Sequence, residues 1–195
     1  MANTGKIKVV TAAVEEPVTL AEAKNHLRVT ITEDDSWLDS LAVAARRRAE
    51  SFCGRQFITQ TFDYWLDRFP AAGQIELPRP PLQSITSIQY QDTNDATQTF
   101  AASKYQALTY DAAPGVIDLD WGESWPVTYD KADAVVIRFV AGYGLAQSVP
   151  EEIKAAIKLF IEYEYDRPED RFGVQGSRII GAAESLLWFD RELAL

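Results

Sequence analysis

The sequence predicts an α+β protein in which helical segments toward both ends bracket a strand-rich middle. Apolar residues recur at helical spacing before residue 54 and after residue 150. Between them the pattern changes to short runs rich in Ile, Val and aromatics, with residues alternating in character. Helix-start signals of the S/T-x-x-D/E type stand at Thr19, Thr32 and Ser148, at the flanks of that middle. At 195 residues and 21.8 kDa the chain is long enough for a sizeable core, burying roughly 70% of its unfolded surface.

After a polar lead, Thr19-Leu20-Ala21-Glu22 has the form of a capping box, with Pro17 just upstream, and predicts a helix over about 19–27. A weaker start at Thr32 and Asp35 opens a second helix over about 34–53, with Trp37, Leu38, Leu41, Ala44, Ala45, Ala49 and Phe52 at helical spacing and Gly54 as its stop. On a 100° wheel Arg46, Arg47 and Glu50 lie opposite that apolar arc, so they are expected on an outer face. Arg48 falls inside the arc, where two readings stand. Its stem lies along the core with the head in water, or its guanidinium pairs with a carboxylate on a neighbouring element or subunit.

The middle, about 56–146, reads as an antiparallel meander of hairpins. Phe62, Tyr64 and Leu66 share one strand face, and further strands are expected at 74–77, 84–90, 115–121 and 134–140. Turn clusters at 70–73, 92–95 and 112–115 separate them. Pro78, Pro80 and Pro81 belong at a connection or an edge, because proline cannot donate to a ladder.

The stretch AGYGLAQSVPEEI, 141–153, follows a strand with two glycines and a further capping signal, Ser148 to Glu151, with Pro150 in the first helical turn. It lacks the lysine-terminated phosphate loop and the G-x-G-x-x-G fingerprint, so it reads as a turn and cap. The helix over about 150–165 carries Ile153, Ala156, Ile157, Phe160 and Ile161 as its core stripe. Leu159 and Tyr163 widen that stripe enough to suggest a second contact surface, such as a sister subunit. Glu151, Lys154, Lys158 and Glu162 read as its solvated face. Residues 1–170 are thus expected to form one domain. Glycines at 173, 176 and 181 mark 171–195 as a flexible connector and an amphipathic tail, with Leu186, Trp188, Phe189, Leu193 and Leu195 as its apolar residues. That tail either docks on its own domain or inserts into a groove on another protein.

Composition narrows the function. With 19 Lys+Arg against 29 Asp+Glu the formal charge is -10, the wrong sign for coating phosphates, and residues 56–150 carry 5 basic against 11 acidic groups. A single cysteine, Cys53, excludes an internal disulfide and reads as core filler. No apolar run reaches the ~20 residues of a membrane span and the first residues lack a signal peptide's blocks, so a soluble, unexported protein is expected. His26, the only histidine, reads as structural, and no nucleophile has a recognisable setting. Asp118 and Asp120 share a strand face near Trp121 and Trp125, with Trp65 a further aromatic. They read either as a solvent-facing strand end or as the acid pair of a carbohydrate-binding or glycoside-hydrolysing site.

Several segments, in order, resemble the head-tail connector, or adaptor, proteins of long-tailed bacteriophages and phage-derived gene transfer agents. They are VTLAEAKNHLRV at 18–29, Asp34-Asp35 opening a helix that ends in Cys53-Gly54-Arg55, LPRPPLQSI at 77–85, and FVAGYG at 139–144 with Val149-Pro150 and a helix closing at Tyr165-Asp166-Arg167. The resemblance implies one helical core built from both ends of the chain with a β-hairpin region inserted. It implies a non-enzymatic protein with no catalytic residues, cofactor or metal. Such a protein forms a ring, a dodecamer, in the particle neck after assembly in the bacterial cytoplasm. The ring docks on the portal protein, faces a stopper or tail-completion protein, and lets DNA pass its lumen without specific binding. On this reading Arg46, Arg47, Glu50, Leu159 and Tyr163 are candidate subunit contacts, and the apolar tail is the candidate portal anchor.

Overall fold

The computed structural model describes residues 5–71, 73–111, 113–165 and 174–191. The chain forms two compact units, one combining Met1–Ala12 with Thr59–Gly142, the other Ala13–Ile58 with Tyr143–Leu195. Two separate stretches therefore supply the helical unit, with most of the strand unit inserted between them, while the first twelve residues, expected only as a polar lead, join the strand unit.

The helical unit contains α1 (Leu20–Leu27), α2 (Asp35–Cys53), α3 (Glu151–Tyr165) and α4 (Val174–Leu187). The capping box that opens α1 is formed: Glu22 N donates to Thr19 Oγ1 at 3.2 Å and Thr19 N to Glu22 Oε2 at 2.8 Å. Alanines 42, 45 and 49 on the buried face of α2 leave room for the larger stripe of α3, Ile153, Ile157, Phe160 and Ile161, all fully buried. Gly142 and Gly144, at φ 123° and 131°, turn the chain before α3. The capping signal expected at Ser148 is not used. Ser148 closes a short 3-10 turn, and the Pro150 carbonyl accepts the first helical bond, from Lys154 N at 3.2 Å.

Two expectations about the C-terminal part are corrected. The connector is helical from Val174, so Gly176 and Gly181 lie inside α4, which packs along α3. Each helix-interior glycine costs about 1 kcal/mol against alanine. Burial of Ile179, Ala183 and Leu187 offsets this, an apolar side chain of Leu or Ile size contributing about 1.5–3 kcal/mol. The polar face of α3 is also less solvated than its charges suggest. It meets α1 through His26 and Glu162 at 2.9 Å and Lys158 and Glu22 at 3.9 Å, and Lys154 is buried.

The strand unit holds β1 (Lys6–Thr11), β2 (Gln60–Leu66), β3 (Ile75–Leu77), β4 (Leu82–Gln91), β5 (Thr97–Phe100), β6 (Tyr105–Leu108), β7 (Gly115–Leu119) and β8 (Val135–Ala141). They form a five-stranded sheet in the order β1-β2-β8-β4-β5 and a three-stranded sheet in the order β3-β7-β6. The arrangement is not the expected meander, because β8 inserts between β2 and β4. β8 alternates buried and half-buried residues along its whole length, and the central position buries its Val135, Ile137 and Phe139 completely. Side chains of both sheets share one core, with Phe62, Leu66, Ile88 and Phe139 from the larger and Ile75, Leu77 and Ile117 from the smaller.

Two substitutions probe this packing. A Cβ at Gly115 would stand 2.3 Å from Leu82 Cβ, so Gly115→Ala is expected to destabilise the protein by about 1–3 kcal/mol in thermal unfolding. A Cβ at Gly181 meets nothing within 4 Å, so Gly181→Ala is expected to raise the melting temperature, by up to about 1 kcal/mol in stability. No gain at Gly181 would contradict its place in a stable helix.

Candidate assembly surfaces

Arg46 and Glu50, expected on an outer face of α2, are inside the helical unit at 6% and 5% exposure. Arg46 donates through Nε to Glu16 Oε2 at 2.6 Å, through Nη2 to Glu16 Oε1 at 3.2 Å, and through Nη1 to Glu50 Oε2 at 2.8 Å. The other Glu50 oxygen accepts from Gln56 Nε2 and from Phe57 N at 3.1 Å. Burial disfavours the Arg46 charge, but the hydrogen bonds and charges of Glu16 and Glu50 outweigh it and raise its pKa. The buried face of α2 runs through Leu38, Ala42, Ala45, Ala49 and Cys53 and takes in Arg46 and Glu50, so it is rotated from the apolar arc the wheel predicts, of which Trp37 and Ala44 are exposed. The wheel does not reveal that the segment before α1 and the turn after α2 cover Arg46 and Glu50. Of the three, Arg47 alone is exposed.

The second reading of Arg48 holds, with the partner in its own chain. Its guanidinium lies 4.8 Å from the Phe160 ring centroid and 5.5 Å from that of Tyr163, and Nη1 is 3.4 Å from Glu164 Oε1. Tyr163 and Leu159 are each half-buried, Leu159 against the core of the unit.

The carbohydrate alternative finds no assembled site. Asp120 Oδ1 accepts from Gln106 Nε2 at 2.8 Å and Asp118 registers opposite Gln106 on β6. Trp121 is fully exposed, whereas Trp125 stacks flat on Phe69 at 4.8 Å and donates to the Gly73 carbonyl. Trp65 is on the face of β2 opposite the Phe62 and Leu66 core. Among the described residues no cluster of three His, Cys, Asp or Glu can hold a metal ion, and no helix is long and apolar enough to cross a membrane.

The C-terminal end of the helical unit presents two adjacent exposed aromatics. α4 ends at Leu187, which is fully buried, while Leu186, Trp188 and Phe189 are 38%, 58% and 93% exposed. Leu186 and Phe189, both expected in the apolar tail, are exposed on either side of the helix end, and the buried anchor is Leu187. The Arg191 guanidinium spans Phe52 and Trp188 at 5.5 Å and 5.6 Å from their ring centroids. Leu193 and Leu195 lie outside the described residues. Beneath this end, burial pushes the Cys53 thiol up to about 12.

These environments make contrasting predictions. Arg46→Met leaves Glu50 charged and half-paired in the interior and is expected to cost about 3–5 kcal/mol in urea unfolding. Arg47→Met, on the surface, is expected to stay within about 0.5 kcal/mol. Cys53 is expected to react with a disulfide reagent at pH 8 only as fast as the protein unfolds, because a buried neutral thiol supplies almost no thiolate.

Comparison with known proteins agrees with this architecture. A chain from the structure titled virion of native gene transfer agent (GTA) particle matches with a TM-score of 0.79 at 22% identity, over 97% of this chain and 96% of that one. A chain from the neck of an empty GTA particle computed with C6 symmetry matches at 0.77 and 20% identity, over 97% of each chain. One from the neck of a native GTA particle computed with C12 symmetry matches at 0.75 and 21%, again over 97% of each. At these identities the likeness is one of fold. No curated protein sequence matches the chain significantly. The family model described as head completion protein matches residues 16–180, across both units. The chain belongs to the head completion protein family, and its role is that family's structural one rather than catalysis.

Proposed function

We propose that the chain is the head-tail connector of a phage or phage-like particle. It assembles as a ring, a dodecamer, in the neck, docks on the portal protein and extends the DNA channel toward a stopper or tail-completion protein. The family match over residues 16–180 carries this reading, and the whole-chain fold likeness to chains of the GTA particle, one neck of which was computed with C12 symmetry, supports it.

The surfaces divide the work on this reading. Subunit contacts fall to the candidates that keep exposure, Arg47 with parts of Leu159 and Tyr163. The portal anchor falls to Leu186, Trp188 and Phe189, together with Leu193 and Leu195 nearer the C-terminus. Large aromatics are suited to this, since exposed Trp and Phe supply most binding energy per residue when a partner desolvates them. The acidic balance suits a conduit that must not hold the DNA sliding through it.

Leu187 fixes where the anchor can be cut without unfolding the unit. A chain truncated after Leu187, and the full-length Trp188→Ser, Phe189→Ser variant, are expected to keep the native circular dichroism and melting profile. Both are expected to lose at least tenfold in affinity for purified portal rings. Undiminished binding by both would remove the anchor from this end of the chain. Electron microscopy of the intact particle, placing the chain in a neck ring or elsewhere, tests the connector assignment as a whole.

A further inference from the structure

The five-stranded sheet ends in two open edges, β1 on one side and β5 on the other. Among the described residues β1 bonds through its backbone only to β2, and β5 only to β4. An open edge presents unpaired N–H and C=O groups and templates the addition of another strand. β1 has the composition for that: Lys6–Thr11 is rich in Ile, Val and Thr, and all of it is exposed. Ile7 and Val9 register with Tyr64 and Phe62, on the core side of the sheet, yet remain 38% and 45% exposed. The apolar layer beneath the sheet stops short of this edge.

We infer that β1 of one copy pairs in parallel with β5 of the next, joining the sheets edge to edge around the ring; this rests on the connector reading above. Strand direction is the first reason. Every neighbouring pair in the sheet is antiparallel and the strands number five, so β1 and β5 run the same way. A rotation about an axis along the strands preserves that direction and brings β5 of one copy beside β1 of another. This is a head-to-tail contact, which closes into a ring. β1 against β1 would instead be antiparallel and two-fold, and would stop at a dimer.

Charge is the second reason. β1 holds Lys6 and Lys8 and no acid, whereas the β4–β5 hairpin, residues 82–100, holds Asp92 and Asp95 and no base. In a chain of net charge -10 most copy-to-copy approaches are repulsive, and these two edges are an exception. Lys6 already bonds Asp133 at 2.9 Å and Lys131 bonds Asp95, but Lys8 has no ion-pair partner among the described residues.

Fit is the third reason. The regular part of β1 runs from Lys6 to Val9, before its bulge, and β5 from Thr97 to Phe100, the same length. Faces match as well. Thr99 lies in the row of Gln89, Val136, Trp65 and Lys6, and Phe100 in the row of Ile88, Ile137, Tyr64 and Ile7. Pairing therefore sets the lysines beside threonines on one face. On the other it extends the exposed Ile7 and Val9 with Phe100, which stacks on Tyr105 at 6.0 Å.

Two measurements on assembled rings test the pairing. In the first, particles carrying Lys8→Cys with Thr99→Cys, or Lys6→Cys with Thr99→Cys, are assembled under reducing conditions, then oxidised and run on denaturing gels. A ladder of covalent multimers from either double variant, absent from the single variants, is expected. A product limited to dimers, formed by Lys8→Cys alone, would mean β1 against β1 and overturn the proposal, as would the absence of any ladder. In the second, which needs no substitution, hydrogen exchange is compared between free chain and ring. Amides of both β1 and β5 are expected to slow at least tenfold on assembly. Slowing at β1 alone would assign its edge to a different protein, and slowing at neither would leave both edges open; each result overturns the pairing. A chain found in no ring overturns the connector reading and the pairing together, whereas a ring lacking the ladder and the protection overturns the pairing alone.

Discussion

The burial of one guanidinium between two carboxylates is the constraint on which the helical unit depends. Arg46 cannot leave water without partners, since an unpaired buried charge costs several kcal/mol. Glu16 comes from the segment before α1 and Glu50 from the next turn of α2. Glu50 in turn uses its second oxygen to hold Gln56 and the Phe57 amide beyond the end of α2. A single ion cluster therefore fixes three stretches of chain. Such clusters commonly add little net stability compared with an apolar substitute, so this one acts by penalising other arrangements. The same region of the unit is tied further by Glu15 accepting from Ala146 N, by the Phe57 carbonyl accepting from Tyr143 N at 3.0 Å, and by the bridge between Ile58 and Gly144.

Once the ion cluster has fixed α2 and its flanks, α4 decides which apolar surface remains. It lies along α3 and adds Ala183 and Leu187 to the core of α2 and α3. The wide arc of α3 thus finds much of its cover within the chain. Arg48 closes another part by lying over Phe160 and Tyr163, a cation laid on aromatic faces where a bare apolar surface would otherwise meet water. The apolar surface still exposed in this unit includes Trp188 and Phe189, past the last helical turn, alongside separate positions such as Val14, Ile31 and Leu145.

Elements written in local pattern were legible in the sequence. The Thr19 capping box, the limits of α1, α2 and α3, and the alternating strands β2 and β8 obey rules that reach no further than a few residues. The misreadings share a different origin. Placing β8 between β2 and β4 is a non-local choice that no run of residues encodes. The glycines of α4 speak for a linker until burial of its apolar face is counted against them. β1 did carry a signal, the alternation Lys6-Ile7-Lys8-Val9, which its charge and its place in the lead obscured. For Arg46 and Glu50 the wheel position opposite the expected apolar arc pointed to an outer face, and only the partner Glu16, thirty positions away, reveals an interior one.

Charge ties the two kinds of contact together. A ring of copies each carrying -10 opposes its own closure, and that repulsion is screened only beyond about 8 Å at physiological salt. Contacts that close such a ring gain by relying on groups indifferent to net charge, which are backbone hydrogen bonds and buried aromatics. An open strand edge offers the first between copies, and on the proposed reading Trp188 with Phe189 offers the second to the portal. On the proposed connector reading, the acidity that burdens assembly would also repel DNA in the lumen. Adding basic residues to ease closure would give the DNA places to stick, so the demands of passage favour neutral adhesion between copies over complementary charge across broad surfaces.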